Sequence, residues 1–293
     1  MRQITILGCG YVGSALARHW RATSAHRLRV TTTTAERQAE LAELADEVQV
    51  LEGADAGGLQ KALEGSEVAV FSLAPRGTRQ VGADGYAATY LQTFQALESV
   101  LPRLPQLRQL IYTGSCSVYG DADGAWVGET TPPAPRDRHG EILQRSEELL
   151  LGCRRPDRRV AILRLGAIHG PGRELAERFR RLAGTTRPGD GGSYTSWIHR
   201  DDVVGAIAFA VDQGLDEIVN LVDDQPITMR DLFTQVFAAA GMEPLRWDPL
   251  ARPEHPIPNR RIANRRLHEL GYRLQHPSLG GILHSEATCA CAE

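Results

Sequence analysis

Short apolar runs alternate with stretches of helical periodicity over the first three quarters of the chain. The runs of strand length occupy residues 4–7, 28–32, 48–51, 68–73, 109–113, 160–165 and 217–222. Between them, apolar residues recur at helical spacing, as over 12–20, 36–44, 86–100 and 203–211. Because the short runs are mostly apolar on both faces, they predict strands that are buried on both sides of a sheet. The pattern therefore predicts an α/β fold with a doubly wound parallel sheet of about seven strands.

The first predicted strand is followed at once by three glycines, and a helical pattern begins among them. Gly8, Gly10 and Gly13 have the spacing of the dinucleotide-binding turn of Rossmann folds. Gly8 permits the tight turn, Gly10 lets a pyrophosphate approach the backbone, and Gly13 lets helix and strand pack closely. The amides at the start of the helix, including those of Tyr11 and Val12, would bind the anion. A plain turn between strand and helix is the alternative interpretation.

The end of the second predicted strand indicates which dinucleotide binds. A carboxylate at this point would accept hydrogen bonds from the ribose of NAD, whereas this chain has threonine at 31–34 and then Arg37. Hydroxyl groups and a guanidinium suit the 2′-phosphate of NADP, so NADP is the predicted cofactor and NAD the alternative. Arg37 as an ordinary solvated residue is the competing interpretation. The predicted cofactor residues beyond the glycine turn are Thr32, Thr33, Thr34, Arg37, Asp55, Leu73, Ala74, Pro75 and Thr113.

Beyond residue 222 the alternation of strands and helices stops and proline becomes frequent. Five of the 16 prolines lie between positions 244 and 258. We therefore predict an NAD(P)-binding Rossmann domain over 1–169 and 194–224, and a substrate lobe over 170–193 and 225–284. Residues 285–293 are predicted to be a tail.

Charge and composition exclude several classes of partner. A formal net charge of −3 gives nucleic-acid binding no electrostatic support. No apolar run approaches 18 residues, so no membrane span is predicted, and the immediate N-terminal strand argues against a signal peptide. The five scattered cysteines favour a reducing compartment, and we predict a cytoplasmic protein.

Several motifs, in the right order, resemble the extended short-chain dehydrogenases/reductases, which include nucleotide-sugar epimerases and dehydratases. The motifs are Tyr-Thr-Gly-Ser-Cys-Ser-Val-Tyr-Gly at 112–120, Glu-Thr-Thr-Pro-Pro at 129–133, Leu-Arg-Leu at 163–165, His-Gly-Pro-Gly at 169–172, Trp-Ile-His-Arg-Asp-Asp-Val at 197–203, Val-Asn-Leu at 219–221 and Leu-Gly-Tyr at 270–272. The resemblance implies a Rossmann domain with a small C-terminal substrate lobe, and it suggests a homodimer. The glycine turn is one residue shorter than is usual in extended members, which places the chain nearer the divergent epimerase-like ones.

The same resemblance implies catalytic roles for two residues. In the family, a residue at the position of Ser115 hydrogen-bonds the reacting oxygen, and a Tyr-x-x-x-Lys pair on the next helix does the acid–base work. Here the tyrosine position holds His139 and the lysine position holds Leu143. The pair cannot lie elsewhere, because Lys61 is the only lysine and glycine stands four residues before it. Histidine titrates close to neutral pH without a neighbouring cation, so Ser115 and His139 are the predicted catalytic residues.

We therefore predict an NAD(P)-dependent oxidoreductase or epimerase-like enzyme that acts on a small polar, nucleotide-sugar-like substrate. A catalytically inactive NADP(H)-binding sensor of the same fold is the alternative. A hydrolase triad of Ser115, His139 and a carboxylate is disfavoured, because no Gly-x-Ser-x-Gly elbow surrounds the serine. No metal site is predicted: Cys289-x-Cys291 offers two ligands where zinc needs four, and Asp201 or Asp202 is interpreted as a helix N-cap.

Overall fold

The computed structural model describes residues 1–75, 81–254 and 257–279, and the chain divides into two compact units. The first unit contains Met1–Val118, Pro135–Arg164 and Val204–Val219, and the second contains Tyr119–Ala134, Leu165–Val203 and the chain from Asn220 onward. The second unit thus includes residues 119–134, 165–169, 194–203 and 220–224, which the predicted boundaries assign to the Rossmann domain. The predicted tail, with Cys289 and Cys291, lies outside the described residues.

Seven of the strands form one parallel sheet, as the apolar pattern predicts. The strands of the described residues are β1 (Gln3–Leu7), β2 (Arg27–Thr32), β3 (Glu47–Val50), β4 (Val68–Phe71), β5 (Gln109–Ser115), β6 (Trp126–Val127), β7 (Arg159–Leu165), β8 (Ala167–His169), β9 (Thr186–Pro188), β10 (Tyr194–Thr195), β11 (Trp197–His199), β12 (Ile218–Leu221), β13 (Ile227–Thr228), β14 (Arg246–Asp248) and β15 (Arg261–Ile262). The order in the large sheet is β12-β7-β5-β4-β1-β2-β3. The strand order reverses between β1 and β4, and a crevice at such a point is where ligands bind in open α/β sheets.

The core of this sheet follows from its sequence of buried strands. In β1, Ile6 pairs with Val30 of β2 and with Val70 of β4, and all three side chains are completely buried. All four residues of β4 are buried, as a strand covered by helices on both faces requires. The predicted doubly wound parallel sheet of about seven strands is confirmed.

Ten α-helices lie within the described residues, and they include every helix that the periodicity predicts. They are α1 (Tyr11–Thr23), α2 (Gln38–Ala42), α3 (Ala56–Leu63), α4 (Ala83–Tyr86), α5 (Gln92–Val100), α6 (Arg138–Gly152), α7 (Leu175–Phe179), α8 (Arg200–Gln213), α9 (Met229–Ala239) and α10 (Arg265–Glu269). A π-helical turn, Ala87–Leu91, joins α4 directly to α5. No helix of the described ranges is long and apolar enough to cross a membrane.

The second unit contains short paired strands and its own apolar cluster. The pairs are β6 with β15, β8 with β11, β9 with β14, and β10 with β13. Trp197, Phe233 and Phe237 are buried in this cluster, together with Leu175. The strand and helix patterns of the sequence did not predict α7, α9 or most of these strands, because two- and three-residue strands give too short a pattern to recognise.

The expected N-cap at Asp201 or Asp202 is wrong. Helix α8 begins at Arg200, so both aspartates lie inside its first turn. Asp202 is completely buried, and its carboxylate accepts the backbone amides of Gln275 (2.6 Å) and His276 (2.9 Å). Its function is therefore to hold the C-terminal segment of the second unit.

Candidate cofactor and active site

The glycine turn has the conformation that its spacing predicts. Gly8 has φ +86°, and a Cβ there would lie 2.4 Å from the carbonyl oxygen of Ser72, so only glycine fits. A Cβ at Gly13 would lie 2.5 Å from the carbonyl oxygen of Gly8, which explains the third glycine by close packing of helix on strand. By contrast, a Cβ at Gly10 would meet nothing within 4 Å. The outer surface of the turn is thus open at the start of α1.

A cleft of about 510 Å³ lies beside this turn, within the first unit. Eight of the predicted cofactor residues line it: Gly8, Gly10, Thr32, Thr33, Thr34, Arg37, Leu73 and Ala74. Thr31, from the threonine run, and Ser72, at the end of the fourth apolar run, also line it, as the sequence indicates. The lining further includes residues that the sequence did not single out for the cofactor, namely Leu7, Cys9, Leu51, Glu52, Gly53, Ala54, Val81, Gly85, Ala88, Thr89 and Thr93. The signal that could have identified many of them is the position of β3 and β4, whose carboxyl ends meet at this edge of the sheet.

Other predicted cofactor residues have structural partners instead of a place in the lining of the cleft. Asp55 is exposed, and its carboxylate accepts the amide of Gly58 as the N-cap of α3. Thr113 is buried, and its hydroxyl donates to the carbonyl oxygen of Phe71 at 3.2 Å. Tyr11, Val12, Gly13 and Pro75 are also absent from the lining of the cleft.

Arg37 lies against the glycine turn and closes one side of the cleft. Its Nη1 donates to the carbonyl oxygen of Cys9 at 2.7 Å, and its Nη2 donates to the hydroxyl of Ser14 at 3.3 Å. The guanidinium also pairs with Glu40 at 2.9 Å, which raises the pKa of Arg37 and lowers the pKa of Glu40. The guanidinium thus stays charged beside the threonines of the β2 end. Open backbone at Gly10, a helix N-terminus and this cation together fit the phosphates of a dinucleotide.

Ser115 ends strand β5 with its oxygen already engaged as an acceptor. The backbone amide of Ser117 donates to its Oγ at 3.1 Å, and the hydroxyl of Ser117 donates at 2.9 Å. A hydroxyl has two acceptor lone pairs and one proton, so the remaining capacity of Ser115 is to donate. Ser115 and His139 are not among the residues that line the 510 Å³ cleft.

His139 lies in the first turn of α6, whose N-cap is Asp137. Its Nε2 is 2.9 Å from the carbonyl oxygen of Val81, a residue that lines the cleft. A carbonyl can only accept, so Nε2 carries the proton and Nδ1 is the basic nitrogen of the neutral ring. The imidazole also contacts the ring of Tyr86, with centroids 4.3 Å apart and planes at 70°. Leu143, one turn further along, is buried.

A buried ion pair packs against the end of β5. Arg164 donates to Glu147 at 2.7 Å, and each side chain is only 3% exposed. Burial raises the pKa of Glu147, and the guanidinium of Arg164 acts in the opposite direction. A Cβ at Gly114 would lie 3.0 Å from the Glu147 carboxylate, so the glycine before Ser115 lets this ion pair pack closely against β5.

The second unit contains a cluster of three histidines. The rings of His169 and His199 are 5.2 Å apart, and those of His199 and His276 are 3.8 Å apart. Burial lowers the pKa of His169 to about 4, and that of His199 likewise to about 4, so both rings are neutral at pH 7. Ligand atoms of His199, Asp201 and His276 lie within 4.8 Å of one another. However, Nδ1 of His199 already accepts the Asp201 amide, and Arg200 pairs with the Asp201 carboxylate.

Comparison with known sequences decides the family. The sequence model of the NAD dependent epimerase/dehydratase family matches residues 4–221, three quarters of the chain. The chain belongs to this family. The predicted resemblance is therefore confirmed at the level of the NAD(P)-binding epimerase/dehydratase fold.

Three relatives show how far the similarity extends. Protein YeeZ of Escherichia coli (strain K12) is 31% identical over 290 residues, which cover 94% of this chain and 97% of YeeZ. A functionally unknown conserved protein from Silicibacter pomeroyi DSS is 25% identical, with a TM-score of 0.78 and 99% of both chains covered. The human epimerase family protein SDR39U1, solved with NADPH, has the same fold at 18% identity, with a TM-score of 0.77, covering 98% of this chain and 99% of its own.

Proposed function

We propose that the protein is an NADP(H)-dependent oxidoreductase or epimerase-like enzyme that acts on a small polar, nucleotide-sugar-like substrate. The observation that carries this proposal is the hydrogen bonding of Ser115. Both lone pairs of its hydroxyl are engaged by Ser117, so the proton points to a partner that the described residues do not supply. A substrate oxygen is the partner that reductase chemistry provides.

The choice of NADP rests on the chemistry at the end of β2. Thr31, Thr32, Thr33 and Thr34 line the cleft with Arg37, and no carboxylate follows β2 at the position that would accept a ribose hydroxyl. Glu40, which pairs with Arg37, is exposed and can release the guanidinium to a phosphate. NADPH in the human SDR39U1 structure supports this preference by analogy.

In this mechanism, NADP(H) held at the glycine turn would supply or take up the hydride. Ser115 donates a hydrogen bond to the oxygen of the reacting carbon and holds it in place. His139 is the titratable group at the position where related enzymes have tyrosine, and its basic Nδ1 exchanges the proton. Leu143, one turn further along α6, provides no cation beside this residue.

An NADP(H)-binding sensor without turnover is the second candidate, because the Tyr-x-x-x-Lys pair is missing. The deciding experiment follows absorbance at 340 nm while NADPH or NADP⁺ is mixed with a panel of nucleotide sugars and small polar carbonyl compounds. For an enzyme, Ser115→Ala should lower turnover about 10²–10³-fold and change the Kd for NADPH by less than about threefold. Ser99→Ala is the matched control, since Ser99 only donates to the carbonyl oxygen of Ala96 on α5. NADPH binding with no turnover on any compound would favour the sensor.

Location and assembly are part of the same proposal. Cys9, Cys116 and Cys153 are free and buried among the described residues, which supports a reducing, cytoplasmic environment. The homodimer suggested by the resemblance stays a prediction, and size-exclusion chromatography with light scattering would test it.

A further inference from the structure

A phenol stands beside His139, at the place where the sequence lacks the expected tyrosine. Tyr86 ends α4, and its ring meets the imidazole of His139 edge to face at 4.3 Å between centroids. The two residues are 53 positions apart in the chain, but both belong to the first unit. The contact therefore brings a tyrosine next to the helix position that carries it in related enzymes.

The segment that carries Tyr86 also lines the cofactor cleft. Val81, Gly85, Ala88 and Thr89 all contribute to the lining, whereas Tyr86, which follows Gly85 in the chain, is not itself part of it. The π-helical turn begins directly after Tyr86 and interrupts the regular helix. Such turns are rare and occur often at functional sites, because they shift the direction of the side chains around them.

The hydroxyl of Tyr86 is available for a ligand, whereas those of its aromatic neighbours are not. Within residues 1–75, 81–254 and 257–279, no hydrogen-bond partner engages this hydroxyl, and the side chain is only partly buried. Tyr90 donates to the carbonyl oxygen of Leu73, and burial raises its pKa. Tyr112 is completely buried, and burial raises its pKa far above the ordinary value. Of these three clustered phenols, only Tyr86 combines access with an unpartnered hydroxyl.

We propose that Tyr86, in place of the His139 imidazole, exchanges the proton with the substrate oxygen, and that the edge-to-face contact with His139 positions the phenol ring. This inference rests on the proposed function, since it assigns a further residue to the same reaction. The fixed hydrogen bond from His139 Nε2 to Val81 keeps the imidazole in place against the phenol. Ser115 then holds the carbonyl oxygen of the substrate by a hydrogen bond, and Tyr86 supplies the proton that this oxygen takes up on reduction.

The step balances in both directions. In reduction, a bound reduced cofactor would supply a hydride to the carbonyl carbon, and the carbonyl oxygen would gain the phenolic proton of Tyr86. The phenolate would then regain a proton from solvent. In oxidation, the phenol would first release its proton to solvent, the phenolate would take the hydroxyl proton of the alcohol, and the hydride would pass to the oxidised cofactor.

The first test removes one hydroxyl and keeps the ring. Tyr86→Phe should lower turnover about 10²–10⁴-fold, while the Kd for NADPH changes by less than about threefold. Tyr90→Phe is the matched control, because it removes a phenol from the same helical segment whose hydroxyl already bonds Leu73. The control should lose no more than about fivefold in turnover. A Tyr86→Phe variant as active as the control would overturn the proposal and leave His139 as the sole acid–base residue.

A second readout does not depend on a known substrate. In protein labelled with ¹³C at tyrosine Cζ, added NADP⁺ should shift the Tyr86 signal and leave the signal of buried Tyr112 in place. In addition, His139→Ala should broaden or move the Tyr86 signal, and His139→Phe should restore it, because phenylalanine keeps a ring against the phenol. If NADP⁺ shifts the amides of the glycine turn and leaves Tyr86 unchanged, the Tyr86 proposal fails alone. If it shifts neither, the proposed function fails as well, and the inference falls with it.

Discussion

Under the proposed preference for NADP, replacing Arg37 by alanine should leave the protein with little discrimination between NADPH and NADH. A hydrogen bond to a charged group contributes about 1.5–3 kcal/mol, which corresponds to about 10- to 150-fold in Kd. Two features of the structure place the expected effect near the lower end of that range. The side chain of Arg37 is 31% exposed, so water screens the contact, and the guanidinium must give up its pairing with Glu40 to bind a phosphate.

We therefore expect Arg37→Ala to raise the Kd for NADPH about 10- to 30-fold and the Kd for NADH by less than about threefold. Isothermal titration calorimetry at fixed ionic strength would measure both constants, since salt screens such contacts. Glu40→Gln should strengthen NADPH binding a few-fold, because it removes the carboxylate that competes with the phosphate for Arg37. Arg21→Ala is the control, because Arg21 pairs with Asp46 and does not line the cleft. Equal losses for both cofactors would refute the reasoning and show that Arg37 only braces the glycine turn.

Four further outcomes follow from the structure. Gly8→Ala should lower the melting temperature and abolish NADP⁺ binding, because its Cβ would meet a carbonyl oxygen at 2.4 Å. Gly10→Ala should fold normally and weaken only cofactor binding. Thermal unfolding and calorimetry would measure both effects. Glu147→Gln should lower the free energy of unfolding in urea by about 3–5 kcal/mol, because it leaves a buried guanidinium unpaired. Glu148→Gln, in an exposed pair, should lower it by less than about 0.5 kcal/mol. The pKa of His169 is lowered from 6.5 to about 4 in the folded protein, so the unfolded chain binds more protons than the folded one between these pH values. The free energy of unfolding should therefore fall as the pH falls from 6.5 to 4, by up to about 1.4 kcal/mol per pH unit, and His169→Phe should flatten this slope. Finally, 2′,5′-ADP should bind within about tenfold of NADP⁺ in a competition assay, because no lysine in α6 can hold the nicotinamide ribose.

The sheet and the glycine turn were predictable from the sequence because both depend on local patterns. Short runs rich in apolar residues identified all seven strands of the sheet, and the spacing of Gly8, Gly10 and Gly13 identified the turn. The threonines of 31–34 and Arg37 line the cleft, and their place at a strand end on this edge of the sheet could be predicted for the same reason. Such signals need only a few neighbouring residues to be read.

Other features could not be found in this way because they depend on contacts between distant segments. Asp55 follows β3 at a suitable point for a ligand, but its carboxylate caps α3, and the cap and the ligand position give the same sequence signal. Asp202 has the position of an N-cap, yet its partners are the amides of Gln275 and His276, more than 70 residues away. The contact between Tyr86 and His139 is of the same kind. Only the folded chain shows which residues that are distant in sequence lie against each other.

The loss of the lysine restricts how protons can move in this site. Arginine supplies every other basic side chain of the chain apart from histidine, and its guanidinium does not release a proton in proteins. A phenol beside a lysine is made more acidic by the fixed charge of the ammonium group, and that assistance is absent where Leu143 stands. The imidazole of His139 instead contacts the phenol of Tyr86 edge to face and holds its ring in position. Under the proposal, Tyr86 is thus the group through which a site without lysine passes a proton to the substrate oxygen, and the Ser115 hydroxyl, whose oxygen accepts from Ser117, donates a hydrogen bond to the same substrate oxygen.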